Sequence, residues 1–106
     1  MVSIFRSEDD LGPVTEPFRV PGPGVMQEMA DLLLIVPYND LAALERVLEQ
    51  NRGRVAGMIL EPMMMNAGII SPLPGYLEGV RELTREHGVL LAFDEVKTGL
   101  VVDWGG

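Results

Sequence analysis

The sequence is poor in the residues that build several common kinds of site. It contains no cysteine and one histidine, His87, among its 106 residues. A disulfide framework and thiolate metal ligation are therefore excluded, and a lone histidine cannot form a metal-binding cluster, so we expect no metal site. The lack of cysteine fits an intracellular setting, and we expect a cytoplasmic protein.

Basic residues are also scarce. Eight lysines and arginines stand against 16 acidic residues, which gives a formal net charge of −8. Such a charge repels phosphate backbones and anionic membranes, so a nucleic-acid partner is not expected. The longest apolar run, "LLLIVP", is too short to span a bilayer, and "MVSIFRSEDD" lacks the apolar core of a secretory signal. A membrane partner is not expected either.

What the sequence does contain is typical of one small globular domain. Hydrophobic residues make up 47 % and charged residues 23 % of the chain. Residues 1–30 stand apart because they are rich in proline and glycine, which prevent regular elements of any length. We interpret residues 1–30 as an extended arm, with a disordered tail as the alternative, and residues 31–106 as the folded part.

Three short apolar runs in the folded part predict β-strands. They are "LLLIV" (32–36), "VAGMIL" (55–60) and "VLLAF" (89–93). Continuous apolar runs of this length are typical of strands in a parallel sheet that are buried on both faces. We therefore predict three strands, each covered on two sides.

Two amphipathic stretches between these runs predict helices. The first has Asn39 or Asp40 as its N-cap and is closed by Gly53. The second ends at Gly88, which is well placed as a left-handed C-cap, and we expect His87 beside it to be a capping or solvated residue. Apolar residues recur at helical spacing in the first stretch, at Leu41, Leu44, Val47 and Leu48, and Tyr76, Val80, Leu83 and His87 fall on one face of the second.

The resulting order, strand–helix–strand–helix–strand, predicts an α/β fold with a parallel βαβαβ sheet in three-layer style. Ligands of open α/β sheets lie beyond the carboxyl ends of the strands, and Glu61, Asp94 and Glu95 follow those ends here. Three strands leave both sheet edges open. The chain therefore looks like a piece of a larger domain.

Carboxylates after a buried strand, as in "FDEVKTG" (93–99), suit two kinds of chemistry. The first is nucleotide hydrolysis, in which the aspartate helps to hold Mg²⁺ and the glutamate polarises water. That chemistry also needs a G-x-x-x-x-G-K-[ST] phosphate cradle, which is absent from this sequence. A Mg²⁺-nucleotide hydrolase subunit therefore remains only as an alternative in which another chain supplies the cradle.

The second kind is an aspartate paired with the protonated pyridine nitrogen of pyridoxal 5′-phosphate (PLP). A carboxylate at hydrogen-bond distance keeps that nitrogen charged, and the charged ring can then take up electrons from a substrate carbon. Asp94 at a strand end fits this task. In an extended chain Val96 would point to the same side and could press on the ring face.

Residues 55–99 closely resemble the central part of the class III PLP-dependent aminotransferases, most of all the branch with glutamate-1-semialdehyde aminomutase. The resemblance is carried by "EP" (61–62), "PLPGYLEGVRELTREHG" (72–88) and "FDEVKTG" (93–99). A weaker likeness extends back through "ADLLLIVPYNDLAALERVL". The resemblance implies a segment of the large PLP-binding domain of a homodimeric enzyme that acts on an amino acid or on an amino-aldehyde or keto substrate.

The resemblance also implies roles for individual residues. Asp94 matches the aspartate that binds the pyridine nitrogen, Val96 the residue packed on the ring, and Glu61 a glutamate near the cofactor. Thr98 and Gly99 complete the motif and shape the turn. Each has a plainer alternative, since Asp94 could terminate the strand, Glu61 could be a structural carboxylate and Val96 could be a core residue.

Lys97, the only lysine in the chain, is a poor candidate for the Schiff-base lysine that the family requires. In the family pattern its position is variable, and the catalytic lysine comes later than Gly106. A residue three positions from Asp94 would also struggle to reach the opposite side of the ring. We therefore expect no catalytic residue in this chain and no activity from it alone. The alternative is a truncated, non-catalytic protein that associates with a full-length partner.

Overall fold

A computed structural model describes residues 26–66 and 68–106. Its elements are α1 (Gln27–Ala30), α2 (Leu41–Gln50), β1 (Gly57–Leu60), α3 (Tyr76–Glu86) and β2 (Leu90–Phe93). Residues 1–25 of the predicted arm lie outside the described residues, and the arm's last four residues form the single turn α1. None of the helices in the described ranges is long and apolar enough to cross a membrane.

Helix α2 begins where the sequence predicts. Asp40 is its N-cap, and Asp40 Oδ1 accepts a hydrogen bond from the Ala43 amide at 2.8 Å. This bond satisfies one of the amides that a helix start leaves without a partner. The helix ends at Asn51, and Gly53 follows with a φ of +74°. The buried face of α2 consists of Ala43, Leu44, Val47 and Leu48.

Helix α3 ends as predicted, because Gly88 has a φ of +68° and places the chain in the left-handed conformation. The Val89 amide then donates to the carbonyl of Thr84 at 2.8 Å, which turns the chain into β2. Within α3, Gly79 faces the side chain of Leu41 so closely that any Cβ at this position would overlap it. Glycine therefore allows α2 and α3 to approach each other.

His87 is the C-cap of α3, which confirms the capping role among the two predicted alternatives. Its backbone amide caps the helix by donating to Leu83, but its side chain is only 3 % exposed and is not solvated. Nε2 lies 3.4 Å from Glu49 Oε1 on α2, and neither ring nitrogen has a hydrogen-bond partner among the described residues. The histidine is buried because the end of α3 packs beside the end of α2.

The sheet is parallel, as predicted, and pairs β1 with β2 from Gly57–Leu90 to Leu60–Phe93. In the described ranges it has two strands instead of three. The run 32–36 forms no regular strand: only Ile35 takes part in a β-bridge, and Leu32 and Leu33 are exposed, so the predicted third strand is not found in the described ranges. An apolar run becomes a strand only where another strand offers it hydrogen bonds, and periodicity alone does not reveal that.

The core lies between the two long helices and one face of the sheet. The residues that form it or pack against it from the sheet include Leu44, Leu48, Tyr76, Val80, Val89, Met58, Leu60 and Leu91. On the other face, Ile59 is 71 % and Leu90 is 78 % exposed. Strands buried on both faces are therefore not observed in the described ranges, because both helices pack on the same side.

Candidate functional site

The carboxyl edge of the sheet brings the predicted site residues to neighbouring positions. Leu60 and Phe93 are partners in the register, and the Asp94 amide donates to the Leu60 carbonyl at 2.8 Å. Glu61 and Asp94 therefore leave the two strands side by side. This is the edge at which ligands of parallel sheets bind.

Asp94 is held by its own turn. Its Oδ1 accepts a hydrogen bond from the Val96 amide at 3.1 Å, and within the described part of the chain Oδ2 has no partner. The sequence interpretation assumed an extended chain at Val96. The chain instead enters a turn there. The Val96 side chain is 88 % exposed. One oriented carboxylate oxygen and one open apolar side chain are thus available at this edge.

The turn after Asp94 is closed around Thr98, which is 1 % exposed. Its hydroxyl donates to Glu95 Oε2 at 3.3 Å, and the Gly99 amide donates to the Glu95 carbonyl at 2.9 Å. A Cβ on Gly99 would lie 2.9 Å from that same carbonyl oxygen, so the turn needs glycine here. Glu95 therefore contributes to the turn, and Thr98 and Gly99 shape it as the sequence indicates.

Lys97 lies on this turn with its side chain exposed. It makes no hydrogen bond or ion pair to any residue that the structure describes. In the same ranges there is no group of three or more histidine, cysteine, aspartate or glutamate side chains that could hold a metal ion.

Glu61 begins a long loop, residues 61–75, that connects β1 to α3. Its Oε2 accepts a hydrogen bond from the Met65 amide at 3.0 Å, which folds the start of the loop back on itself. Met64 and Ile70 then exchange two backbone hydrogen bonds of 3.0 and 2.9 Å. Glu61 has a structural partner in the Met65 amide, and the residue is half-buried where β1 ends.

Two residues that sequence reasoning missed hold this loop from outside. The Tyr38 hydroxyl donates to the Pro62 carbonyl at 2.7 Å. The Asn39 side chain donates to the Ser71 carbonyl at 3.0 Å and accepts from the Leu73 amide at 2.9 Å. Asn39, which follows Pro37 and Tyr38, was the available signal of a turn, because asparagine tolerates turn conformations. The signal could not reveal the partners of Asn39, because they lie more than 30 positions away.

Two tyrosines beside the loop have perturbed acidity. Burial raises the pKa of Tyr38, and the neighbouring Tyr76 and Glu61 raise it further. Burial also raises the pKa of Tyr76, although a backbone hydrogen bond from Asn39 works in the opposite direction and Asp40 adds to the rise. The two rings lie 4.8 Å apart, edge to face. Both hydroxyls therefore stay protonated at neutral pH, as the hydrogen bond that Tyr38 donates to Pro62 requires.

The family model of the class III aminotransferases matches residues 14–103. The chain belongs to this family. The family prediction and the prediction of an α/β fold with a parallel sheet are therefore confirmed, with two strands in the described ranges.

Solved structures of this class III family are similar to the chain. Ornithine δ-aminotransferase of Plasmodium falciparum is 45 % identical over 63 % of this chain and 17 % of its own, with a TM-score of 0.59. Acetylornithine aminotransferase of Elizabethkingia anophelis is 43 % identical over 63 % and 18 %, with a TM-score of 0.61. A glutamate-1-semialdehyde-aminomutase of Pseudomonas aeruginosa PAO1, solved in complex with PMP, is 36 % identical over 74 % and 18 %, with a TM-score of 0.58.

The chain thus spans less than one fifth of the length of each of these solved relatives. Its neighbours include the aminomutase branch, which the sequence favours, and two aminotransferases. The choice between the two reactions stays a prediction.

Proposed function

We propose that this class III chain is a segment of a PLP-dependent aminotransferase or aminomutase and that Asp94 binds the pyridine nitrogen of the cofactor. The observation that carries the proposal is the Asp94 carboxylate itself. It stands at the carboxyl end of β2, is oriented by the Val96 amide, and keeps Oδ2 without a partner in the described ranges. A carboxylate with one oriented and one available oxygen suits a protonated ring nitrogen.

The neighbouring residues fit a flat heteroaromatic ring. Val96 is exposed beside Asp94 and would contact the ring face. Glu61 leaves the adjacent strand and would lie near the substrate side of the site. When bound, PLP supplies an electron sink for a carbanion at the substrate carbon. The contribution of Asp94 is to hold a proton on the ring nitrogen, and that of Val96 is to fix the ring's orientation.

The remaining parts of the proposal concern the whole enzyme. Its substrate would be an amino acid or an amino-aldehyde or keto compound, and it would be a cytoplasmic homodimer. This chain would supply the aspartate but not the Schiff-base lysine, because Lys97 is exposed three positions after Asp94 on the same turn. Alone, the chain would be inactive.

A chimera tests the role of Asp94. The part of this chain that matches the P. falciparum ornithine δ-aminotransferase would replace its counterpart in that enzyme, and the identity of 45 % makes the exchange practicable. In this chimera we expect Asp94→Asn to lower kcat by roughly 10- to 100-fold, since the carboxylate charge that strengthens the hydrogen bond and keeps the ring nitrogen protonated is lost.

Asp103→Asn is the matched control for the chimera. Asp103 Oδ1 also accepts a hydrogen bond from the next backbone amide, at 2.7 Å, but Asp103 does not follow the end of a strand. We expect this variant to keep the activity of the parent chimera. Equal losses in the two variants would contradict the assignment of Asp94.

The absence of a Schiff-base lysine is tested on the isolated chain with added PLP. We expect no visible absorbance band that depends on Lys97, and therefore the same spectrum for the wild type and for Lys97→Ala. A strong band in the wild type that Lys97→Ala abolishes would overturn this part of the proposal.

A second candidate, association with a full-length partner, is favoured by the open face of the sheet. Ile59 and Leu90 are exposed there, and apolar surface of this kind is usually covered. Size-exclusion chromatography with the P. aeruginosa aminomutase should show co-elution that Ile59→Lys abolishes. Glu45→Lys, on the exposed side of α2, is the control and should leave co-elution intact. Separate elution of the wild-type chain would exclude this candidate.

A further inference from the structure

The loop 61–75 is held at both ends by one pair of residues, Tyr38 and Asn39. Tyr38 binds the carbonyl of residue 62 at the start of the loop. Asn39 binds residues 71 and 73 near its end. We call Tyr38 and Asn39 the corner, because they lie where the chain turns into α2.

Asn39 makes the contacts of a short stretch of strand with one side chain. Its side-chain Nδ2 donates to the Ser71 carbonyl at 3.0 Å, and its Oδ1 accepts from the Leu73 amide, two residues later, at 2.9 Å. Its φ of +64° is in the left-handed region, which few residues other than glycine and asparagine adopt readily. Asparagine at position 39 thus adopts the left-handed backbone conformation and also binds the loop through its side chain.

Bonds inside the loop extend this restraint to Glu61. The two hydrogen bonds between Met64 and Ile70 tie the second half of the loop to the first. The Met65 amide, next to that pair, donates to Glu61 Oε2 at 3.0 Å. A continuous set of bonds therefore runs from Asn39 through residues 71–73 and the Met64–Ile70 pair to the Glu61 carboxylate.

We propose that the corner is a positioning element that fixes the Glu61 carboxylate at the sheet edge beside Asp94. Tyr38 sets the backbone next to Glu61, and Asn39 sets the return of the loop. Both bonds of Asn39 are exposed, so they add little to global stability but restrain one loop. A contribution of the positioned Glu61 to substrate binding rests on the proposed function, whereas the positioning of Glu61 does not.

Amide hydrogen exchange on the full 106-residue chain tests the positioning. Asn39→Gly keeps the left-handed backbone accessible and removes only the side chain. We expect exchange at Leu73 and at Met65 to rise roughly 2- to 10-fold, the loss expected for one hydrogen bond. Exchange at Asp94, whose amide is bonded to Leu60 in the sheet, should stay unchanged.

Two further variants separate positioning from general destabilisation. Asn39→Asp retains the acceptor for the Leu73 amide and tolerates the backbone, so it should restore protection at Leu73 and Met65. Asn51→Gly removes a similar side-chain bond, from Asn51 Nδ2 to the Val47 carbonyl at 2.9 Å, and should leave the loop amides protected. The proposal is overturned if Asn39→Gly leaves Met65 protected, or if protection falls equally at Asp94.

The outcome is independent of the role of Asp94 in cofactor binding. If amide exchange at Met65 is unchanged in Asn39→Gly, the positioning role is contradicted. The role of Asp94 is then still tested separately by the chimera. Full activity of Asp94→Asn in the chimera removes the proposed function and leaves the exchange result in place. Failure of one proposal is therefore distinguishable from failure of the other.

Discussion

The two segments that leave the sheet at its carboxyl edge are built in different ways. The turn after β2 is closed by its own residues, with Asp94 bonded to Val96 and Thr98 to Glu95. The loop after β1 is held from outside, by the corner at positions 38 and 39. Asp94 is therefore placed by its immediate neighbours in the sequence, whereas Glu61 depends on contacts that come from distant positions.

Gly99→Ala disturbs the turn that is closed by its own residues, and it is the variant with the largest expected effect. The new Cβ would lie 2.9 Å from the Glu95 carbonyl oxygen, which is backbone and cannot rotate away. We expect the free energy of unfolding to fall by about 1–3 kcal/mol, the usual cost of overpacking. Urea unfolding followed by circular dichroism measures this loss.

Lys97→Ala is the control for Gly99→Ala, because Lys97 is exposed on the same turn. Its effect should stay within about 0.5 kcal/mol, as for most surface substitutions. An equal loss in the two variants would mean that the turn is not closed by the contact between residues 95 and 99.

Tyr38→Phe tests the loop side of the contrast and should have a smaller effect. It removes the hydrogen bond to the Pro62 carbonyl and keeps the ring that packs against Tyr76. We expect a loss of about 1 kcal/mol in unfolding free energy, the net value of one hydrogen bond. Amide exchange should rise in residues 63–65, and the amides of the turn 95–102 should be unaffected. A loss confined to the turn would reverse the assignment.

Alkaline pH should affect the same side of the molecule, with the smallest effect. The pKa values of Tyr38 and Tyr76 are raised in the folded chain, so their contribution to stability is complete below the ordinary tyrosine pKa of about 10. It is lost as the pH rises through the higher folded values. Unfolding midpoints measured across this range should fall, and the Tyr38→Phe, Tyr76→Phe double variant should show a smaller fall.

The sequence predicted the features that depend on neighbouring residues. The Asp40 cap, the Gly88 ending and the strands near residues 57–60 and 90–93 are set by local chemistry and were expected. The motif "FDEVKTG" also placed Asp94 at the correct edge. Local rules of capping and periodicity were sufficient for these features.

The features that failed or were missed depend on distant residues. The run 32–36 resembles a strand in composition, but no pattern within it tells whether a partner strand is present. The open face at Ile59 could not be predicted because covering a strand requires another layer. Tyr38 and Asn39 contact residues 24 to 34 positions later, a separation that periodicity does not encode.

The small core has a consequence for how the chain loses its structure. Its central cluster takes Leu44 and Leu48 from α2, Tyr76 and Val80 from α3, and Val89 from the entry to β2. A helix that leaves this cluster exposes apolar surface on every other member, and a two-stranded sheet is barely stable by itself. We therefore expect α2, α3 and the sheet to unfold together as one cooperative unit.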